Sequence, residues 1–252
     1  MTTGAPDPGH HEREVVPEKG ARAFLAEGEL ELLGRIPWAS NATLLAKVTH
    51  QGLEGLAVYK PARGERPLWD FPAGTLYRRE VAAYLVSERL GWRLVPPTLA
   101  RDGPLGVGSV QLFVDADPEV TAFELLAAGD ATLPLVAAFD VVTNNADRKA
   151  GHCLAGRDDE RVWAIDHGLC FHVQPKLRTV LWDLAGTELD PGVLADLEAL
   201  AAAAAGGPLG GRLCELLHPD EVAALARRAR ALVRAGRLPA PRGDRAYPWP
   251  LV

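Results

Sequence analysis

Hydrophobic and polar positions along the chain change rhythm from one half to the other. Glu29-Leu30-Glu31-Leu32-Leu33 alternates as a half-buried strand does, and Leu44 to Thr49 and Gly55 to Lys60 follow as two more, joined by a turn at Gln51-Gly52. Ahead of them, Glu18 to Glu27 carries Ala21, Phe24 and Leu25 on one side of a short helix. Leu76 to Leu90 has helical spacing, with Thr75 as its expected N-cap and Gly91 to close it. Val95 to Ala100 and Gly108 to Val114 read as further strands. The pattern then turns helical: Val120 to Ala127, Leu133 to Thr143, Pro191 to Ala205 and Pro219 to Ala235. Between these, Arg63 to Thr75 is turn-rich, with Trp69 and Phe71 expected to pin it. From Leu238 onward the chain is rich in proline and reads as an extended strap.

These elements predict an α+β chain with three segments. Residues 1–14 form a polar start expected to be disordered. Residues 15–115 carry an antiparallel sheet with one main helix, and residues 116–252 are mostly helical. The first segment lacks the apolar core of a signal peptide, and no window is long enough for a membrane span.

Two polar knots interrupt the second half. Asn144-Asn145-Ala146-Asp147-Arg148-Lys149 follows the apolar run ending at Thr143. Asp166-His167-Gly168 follows Arg161 to Ile165, a β-branched and aromatic run that pairs with His152-Cys153-Leu154 as a hairpin across Gly156 to Glu160. Asp147 and Asp166 thereby meet at one end of a hairpin. Phosphoryl transfer needs such a pair, one carboxylate to take a proton from an attacking hydroxyl and one to hold a divalent metal against phosphates. The plainer alternative is that the first knot caps a helix and the second is a turn.

Asp140, Asn145-Ala146-Asp147-Arg148 and Ala164 to Phe171 resemble the catalytic and metal-binding loops of the phosphatidylinositol 3-/4-kinase superfamily. The likeness is greatest to the type II phosphatidylinositol 4-kinases and to the small actinobacterial proteins grouped as 3-/4-kinase-like. The resemblance implies a two-lobed, protein-kinase-like fold. It makes Asp147 the catalytic aspartate, with Arg148 beside it as a lesser catalytic candidate that could neutralise the transferring phosphoryl group, and Asp166 the metal-binding aspartate of the second loop. A metal-binding asparagine of such kinases falls near position 152, where this chain has His152.

Other positions fit a nucleotide site. Ser40, Asn41 and Thr43 precede the second strand, where backbone N–H groups and short polar side chains can cradle phosphate oxygens, although the stretch is poor in glycine. Lys60 ends a strand in Val58-Tyr59-Lys60-Pro61, resembling the Lys-Pro of lipid kinases, and Glu80 is its expected ion-pair partner. Gln111, Phe113 and Val114 end the last strand and are expected to offer backbone groups to an adenine ring.

Composition narrows the partners. The net charge of −6 gives no basis for capture of nucleic acid. Three widely spaced cysteines fit a reducing cytoplasm better than a disulfide framework. The leading expectation is an ATP- and Mg²⁺-dependent kinase acting on a hydroxyl of a protein, lipid or small molecule. Two alternatives stay open: a nucleotide-binding pseudokinase or scaffold, suggested by His152 and the glycine-poor loop, and a metal hydrolase using His152, Asp166, His167 and His172.

Overall fold

A computed structural model describes residues 18–36, 41–159, 161–241, 243 and 245–252. Ser40 and the segment 1–14 lie outside them. Five antiparallel strands form one sheet in the order β1-β2-β3-β5-β4: β1 Glu29–Arg35, β2 Leu44–His50, β3 Leu53–Pro61, β4 Thr98–Gly103 and β5 Gly106–Leu112. Helix α1 (Glu18–Glu27) lays Ala21, Phe24 and Leu25 on that sheet, against Val48, Ala57, Tyr59 and Val110.

The last two strands depart from expectation. The expected strand Val95 to Ala100 starts three residues later and ends at Gly103, because Pro96 and Pro97 have no N–H for a ladder. Its partner runs from Gly106 to Leu112 rather than from Gly108 to Val114.

Helix α2 (Leu76–Leu90) is where the sheet meets the helices. Its C-terminus follows expectation, with Gly91 in the left-handed conformation at φ 71°. Its N-terminus does not. The Thr75 hydroxyl donates to the Pro72 carbonyl at 2.6 Å and makes no cap bond. The cap comes from Glu65, whose carboxylate accepts from the Tyr77 N–H at 2.9 Å. Phe71 is buried and pins the preceding loop, whereas Trp69 is 91% exposed and does not.

Helices α3 (Ala122–Ala128), α4 (Leu133–Thr143), α5 (Pro191–Ala205), α6 (Gly207–Leu216) and α7 (Pro219–Ala235) make the second half. Strands β6 (Cys153–Ala155) and β7 (Val162–Ala164) form the expected hairpin. Ala82, Leu85 and Val86 of α2 share one apolar core with Phe139, Val142, Leu197, Leu200, Leu225 and Leu232, so the larger core is built across the chain's two halves. Among the described residues no single helix is long and apolar enough to cross a membrane; α5 and α6, taken together, meet at a bend of 67°. The architecture is therefore α+β, an antiparallel sheet with one main helix followed by a mostly helical part.

Past Leu238 the described residues form no helix or strand and lead back toward the polar loops. The Thr179 N–H donates to the Ala246 carbonyl at 3.1 Å, and the Ala150 N–H donates to the Leu251 carbonyl at 2.8 Å. This is the expected strap.

Candidate active site

The end of α4 shapes the first polar loop. Asn144 caps the helix in the left-handed conformation, at φ 57°. That conformation falls to Asn144 rather than to its neighbour Asn145, and its side chain ties down the segment after the second loop. Its amide donates to the carbonyls of His172 (2.8 Å) and Gln174 (2.7 Å), and its oxygen accepts from the Lys176 N–H at 2.8 Å. Asn145 works inside the loop, donating to Asp140 at 3.0 Å and accepting from the Asp147 N–H at 2.9 Å.

Asp140 and Arg148 form the keel of the site. Arg148 is 0% exposed, and every N–H of its guanidinium is engaged. Nε and Nη2 reach the Asp140 carboxylate at 2.9 Å. Nη1 donates to the carbonyls of Ile165 (2.7 Å) and His152 (3.1 Å). Nη2 also stands 2.8 Å from His167 Nε2, which must accept, leaving the proton on a buried Nδ1 that lacks a partner among the described residues. Arg148 thus has no group free for a substrate. Expected among the catalytic residues, it is a positioning residue instead.

The second loop holds Asp166 at φ 59° and Phe171 at φ 70°, conformations that non-glycine residues seldom adopt. Paired backbone on both sides over-determines them: Ala146 N–H donates to Leu169 O at 3.0 Å, and Phe171 N–H to Thr143 O at 2.6 Å. Arg79 of α2 adds a bond to the Cys170 carbonyl at 2.7 Å and an ion pair with Glu221 of α7 at 2.8 Å. Sequence reasoning missed Arg79, whose partners are remote in the chain.

Lys60 reaches into this loop from β3. Its ammonium lies 2.5 Å from Glu80 Oε1 and 3.0 Å from Asp166 Oδ1. Glu80 is 3% exposed, and its other oxygen accepts from the His167 N–H at 2.9 Å. Burial works against the charge on Lys60, but Asp166 and Glu80 outweigh it and raise its pKa, so the ammonium persists. Burial likewise disfavours the Asp166 carboxylate, yet the Lys60 ammonium holds it well below the usual range.

Asp147 and His152 complete the group. Burial pushes Asp147 up to about 6, with Lys149 opposing and Asp166 reinforcing the rise. His152 Nε2 is 3.4 Å from Asp166 Oδ2, and its Nδ1 is 2.9 Å from the Asp147 carbonyl. Burial lowers His152 to about 4, so the ring is neutral near pH 7.

A cavity of about 620 Å³ brings Asn41, Thr43, Lys60, Glu80, Asp147, Lys149 and Asp166 to one wall-lined space. Arg178, Arg245, Tyr247 and Trp249 also line it. Two expectations about the nucleotide fail. The Ala42 N–H is spent on Gly64 O (3.1 Å) and the Thr43 N–H on Asn41 O (2.8 Å), so those amides form no phosphate cradle. Gln111 is laddered to Val58 on one side and Thr98 on the other, its side-chain amide bonds Thr98, and the Phe113 N–H donates to Leu56 O. Of that stretch, Val114 alone has no backbone bond assigned among the described residues. None of Gln111, Phe113 and Val114 lines the cavity.

No family model matches the chain. Its sequence is 47% identical over 264 aligned residues to Protein Rv2133c of Mycobacterium tuberculosis, covering 90% of this chain and 94% of that protein. The chain belongs to the family of that protein. It is also 36% identical over 110 residues to phosphatidylinositol 4-kinase gamma 4 of Oryza sativa subsp. japonica, a match spanning 36% of this chain and only 20% of the rice protein. Among solved structures, the Golgi casein kinase with Mn/ADP bound aligns at a TM-score of 0.54 and 14% identity, over 93% of this chain and 80% of the kinase. The Helicobacter pylori proinflammatory kinase CtkA aligns at 0.50 and 10% identity, over 85% and 94% respectively. At such identities the likeness establishes the fold, which is kinase-like.

Proposed function

We propose that the chain is an ATP-dependent phosphotransferase of the phosphatidylinositol 3-/4-kinase-like kind, moving the γ-phosphate to a hydroxyl of a protein, lipid or small-molecule acceptor. The observation that carries this reading is the ammonium of Lys60 held between Glu80 at 2.5 Å and Asp166 at 3.0 Å, with Asp147 lining the same cavity. In this reading the segment up to about residue 115 faces the nucleotide and the remainder carries the catalytic loops. Lys60 meets the phosphates, and Glu80 keeps it there. Asp147, raised to about 6, takes the proton from the attacking hydroxyl. Arg148 and Asp140 hold both loops in register. Thr43 and the side chain of Asn41 remain available to phosphate oxygens at the cavity wall.

The donors fit a divalent ion, Mg²⁺ by the family resemblance. Asp166 and His152 would hold it, leaving its other positions to phosphate and water oxygens, and when bound it would neutralise charge on the phosphates. The protein is assigned to the cytoplasm in this reading, in keeping with free cysteines at Cys153, Cys170 and Cys214.

The turned-in amides of Ala42 and Thr43 favour the second reading, a nucleotide-binding protein without transfer activity. The hydrolase reading loses its ligand set. His167 is committed to Arg148, and His172 accepts from Gln174 N–H beside the Phe71 ring. Among the described residues no group of three or more His, Cys, Asp or Glu converges on a metal site.

Calorimetric titration of ATP, with and without a divalent metal, into wild type and Asp166→Asn tests the proposal. Metal-dependent binding that the substitution abolishes is the expected result. Absence of binding up to millimolar ATP would sink both nucleotide readings, and binding without phosphate release to any acceptor would favour the second.

A further inference from the structure

His152 and Asp166 face each other in a way the transfer reaction does not by itself require. Nε2 of the ring and Oδ2 of the carboxylate are 3.4 Å apart. The ring's other nitrogen, Nδ1, is 2.9 Å from the Asp147 carbonyl, which can only accept, so Nδ1 carries a proton. The Lys149 N–H, at 3.4 Å from the same nitrogen, is then a contact rather than a bond to it. Nε2, left without a proton, therefore stands 3.4 Å from an acidic oxygen, an unfavourable pairing that a proton or a metal ion shared by the two would relieve. Two donors each about 2.1 Å from one ion stand roughly 3 to 3.4 Å apart.

We propose that Asp166 and His152 form a mixed oxygen–nitrogen site that selects manganese, or a similar transition divalent ion, over magnesium. The proposal rests on the phosphotransferase reading for the nucleotide that completes the coordination. Three features carry it. The donor set includes an imidazole, which suits transition metals, whereas magnesium strongly prefers oxygen. The ring has the second-sphere bond typical of a ligating histidine, with its remote N–H on a backbone carbonyl. The spacing of the donors is also built in. One buried guanidinium, that of Arg148, binds both the His152 carbonyl and the carbonyl of Ile165, the residue before Asp166. With two protein donors the site is too sparse for structural zinc, which takes four. Oxygens of phosphate and water fill the remainder, and manganese accepts these together with nitrogen.

The test uses the full-length protein with saturating ADP. Mn²⁺ and Mg²⁺ are titrated calorimetrically into wild type and His152→Asn, and both affinities are corrected for binding of each ion to free ADP. The Mn²⁺-loaded wild type is also examined by pulsed electron paramagnetic resonance for nitrogen coupling. The expected result is histidine-nitrogen coupling in wild type and a Mn²⁺ to Mg²⁺ affinity ratio that falls about tenfold or more in the variant. An unchanged ratio, or a wild-type spectrum with no nitrogen coupling, while ADP still binds, overturns the metal preference and leaves the phosphotransferase reading standing. If ADP does not bind with either ion, that reading fails, and nitrogen coupling from Mn²⁺ added alone still decides the site.

Discussion

Arg148 and Asp140 pair at 2.9 Å with neither side chain exposing any surface. The pair sits beneath both polar loops, and its energetics are those of a buried ion pair: modest net gain while intact, large loss when one member is removed. Arg148→Met leaves Asp140 charged and buried and strands two carbonyls. A loss of about 3–5 kcal/mol in urea unfolding is expected. Replacing both residues by apolar ones of similar size should cost less than the two single losses added together.

Asp147→Asn and Asp166→Asn should each suppress phosphate transfer while the unfolding midpoint stays close to wild type. Loss of a general base costs about 10²- to 10⁴-fold in kcat. Near-normal turnover in both variants would overturn the assignment of the two loops.

Asp147 also predicts a pH dependence. In the proposed role it can take a proton only when ionised, and its burial raises its pKa to about 6. Transfer should therefore be full above that value and fall about tenfold per pH unit below it. His152, lowered to about 4, stays neutral across the same window and adds no second limb above pH 5. A kcat/KM profile that is flat from pH 5 to 8 would contradict the role of Asp147.

The cap of α2 separates two residues that sequence alone ranks the other way. Glu65→Ala removes the acceptor of the Tyr77 N–H and should cost about 1 kcal/mol. Thr75→Ala removes only an exposed bond to Pro72 and should change stability by less than about 0.5 kcal/mol. Urea midpoints of the two variants decide between them.

Much of this fold is legible along the chain because its signals are local. The bounds of α2, α4, α5 and α7 follow from apolar spacing, and Gly91 and Gly236 stop α2 and α7 in left-handed conformations. Helix α6 escaped because Gly207-Pro208-Leu209-Gly210-Gly211 has the composition of a loop, and its helicity comes from packing beside α5 and α2. The acidic pair and Lys60 were legible as residue types in order. Their joint placement was not, since Lys60 and Asp166 are 106 positions apart. Arg79 and Glu65 gave no signal at all, and Asn144 signalled only a helix cap: each acts on a backbone group that only the folded chain brings near. The nucleotide loop and the strand end at Gln111 were misjudged for the opposite reason. Backbone groups there look free in one dimension; in three, those of the loop are spent on Gly64 and Asn41, and those of the strand end on neighbouring strands.

The shared core of α2 has a mechanical consequence. Glu80 rides on a helix whose apolar face belongs to the same packed body as α4, α5 and α7, whereas Lys60 belongs to the sheet, which has its own small core with α1. Glu80 is also bonded to the His167 N–H, so it travels with the loop of Asp166. If the sheet tilts to admit or release a ligand, the lysine is the member that departs, and both of its acidic partners stay behind together. The ion pair is then a latch between a part that moves and a part that stays, and the rest of the charged cluster belongs to the latter.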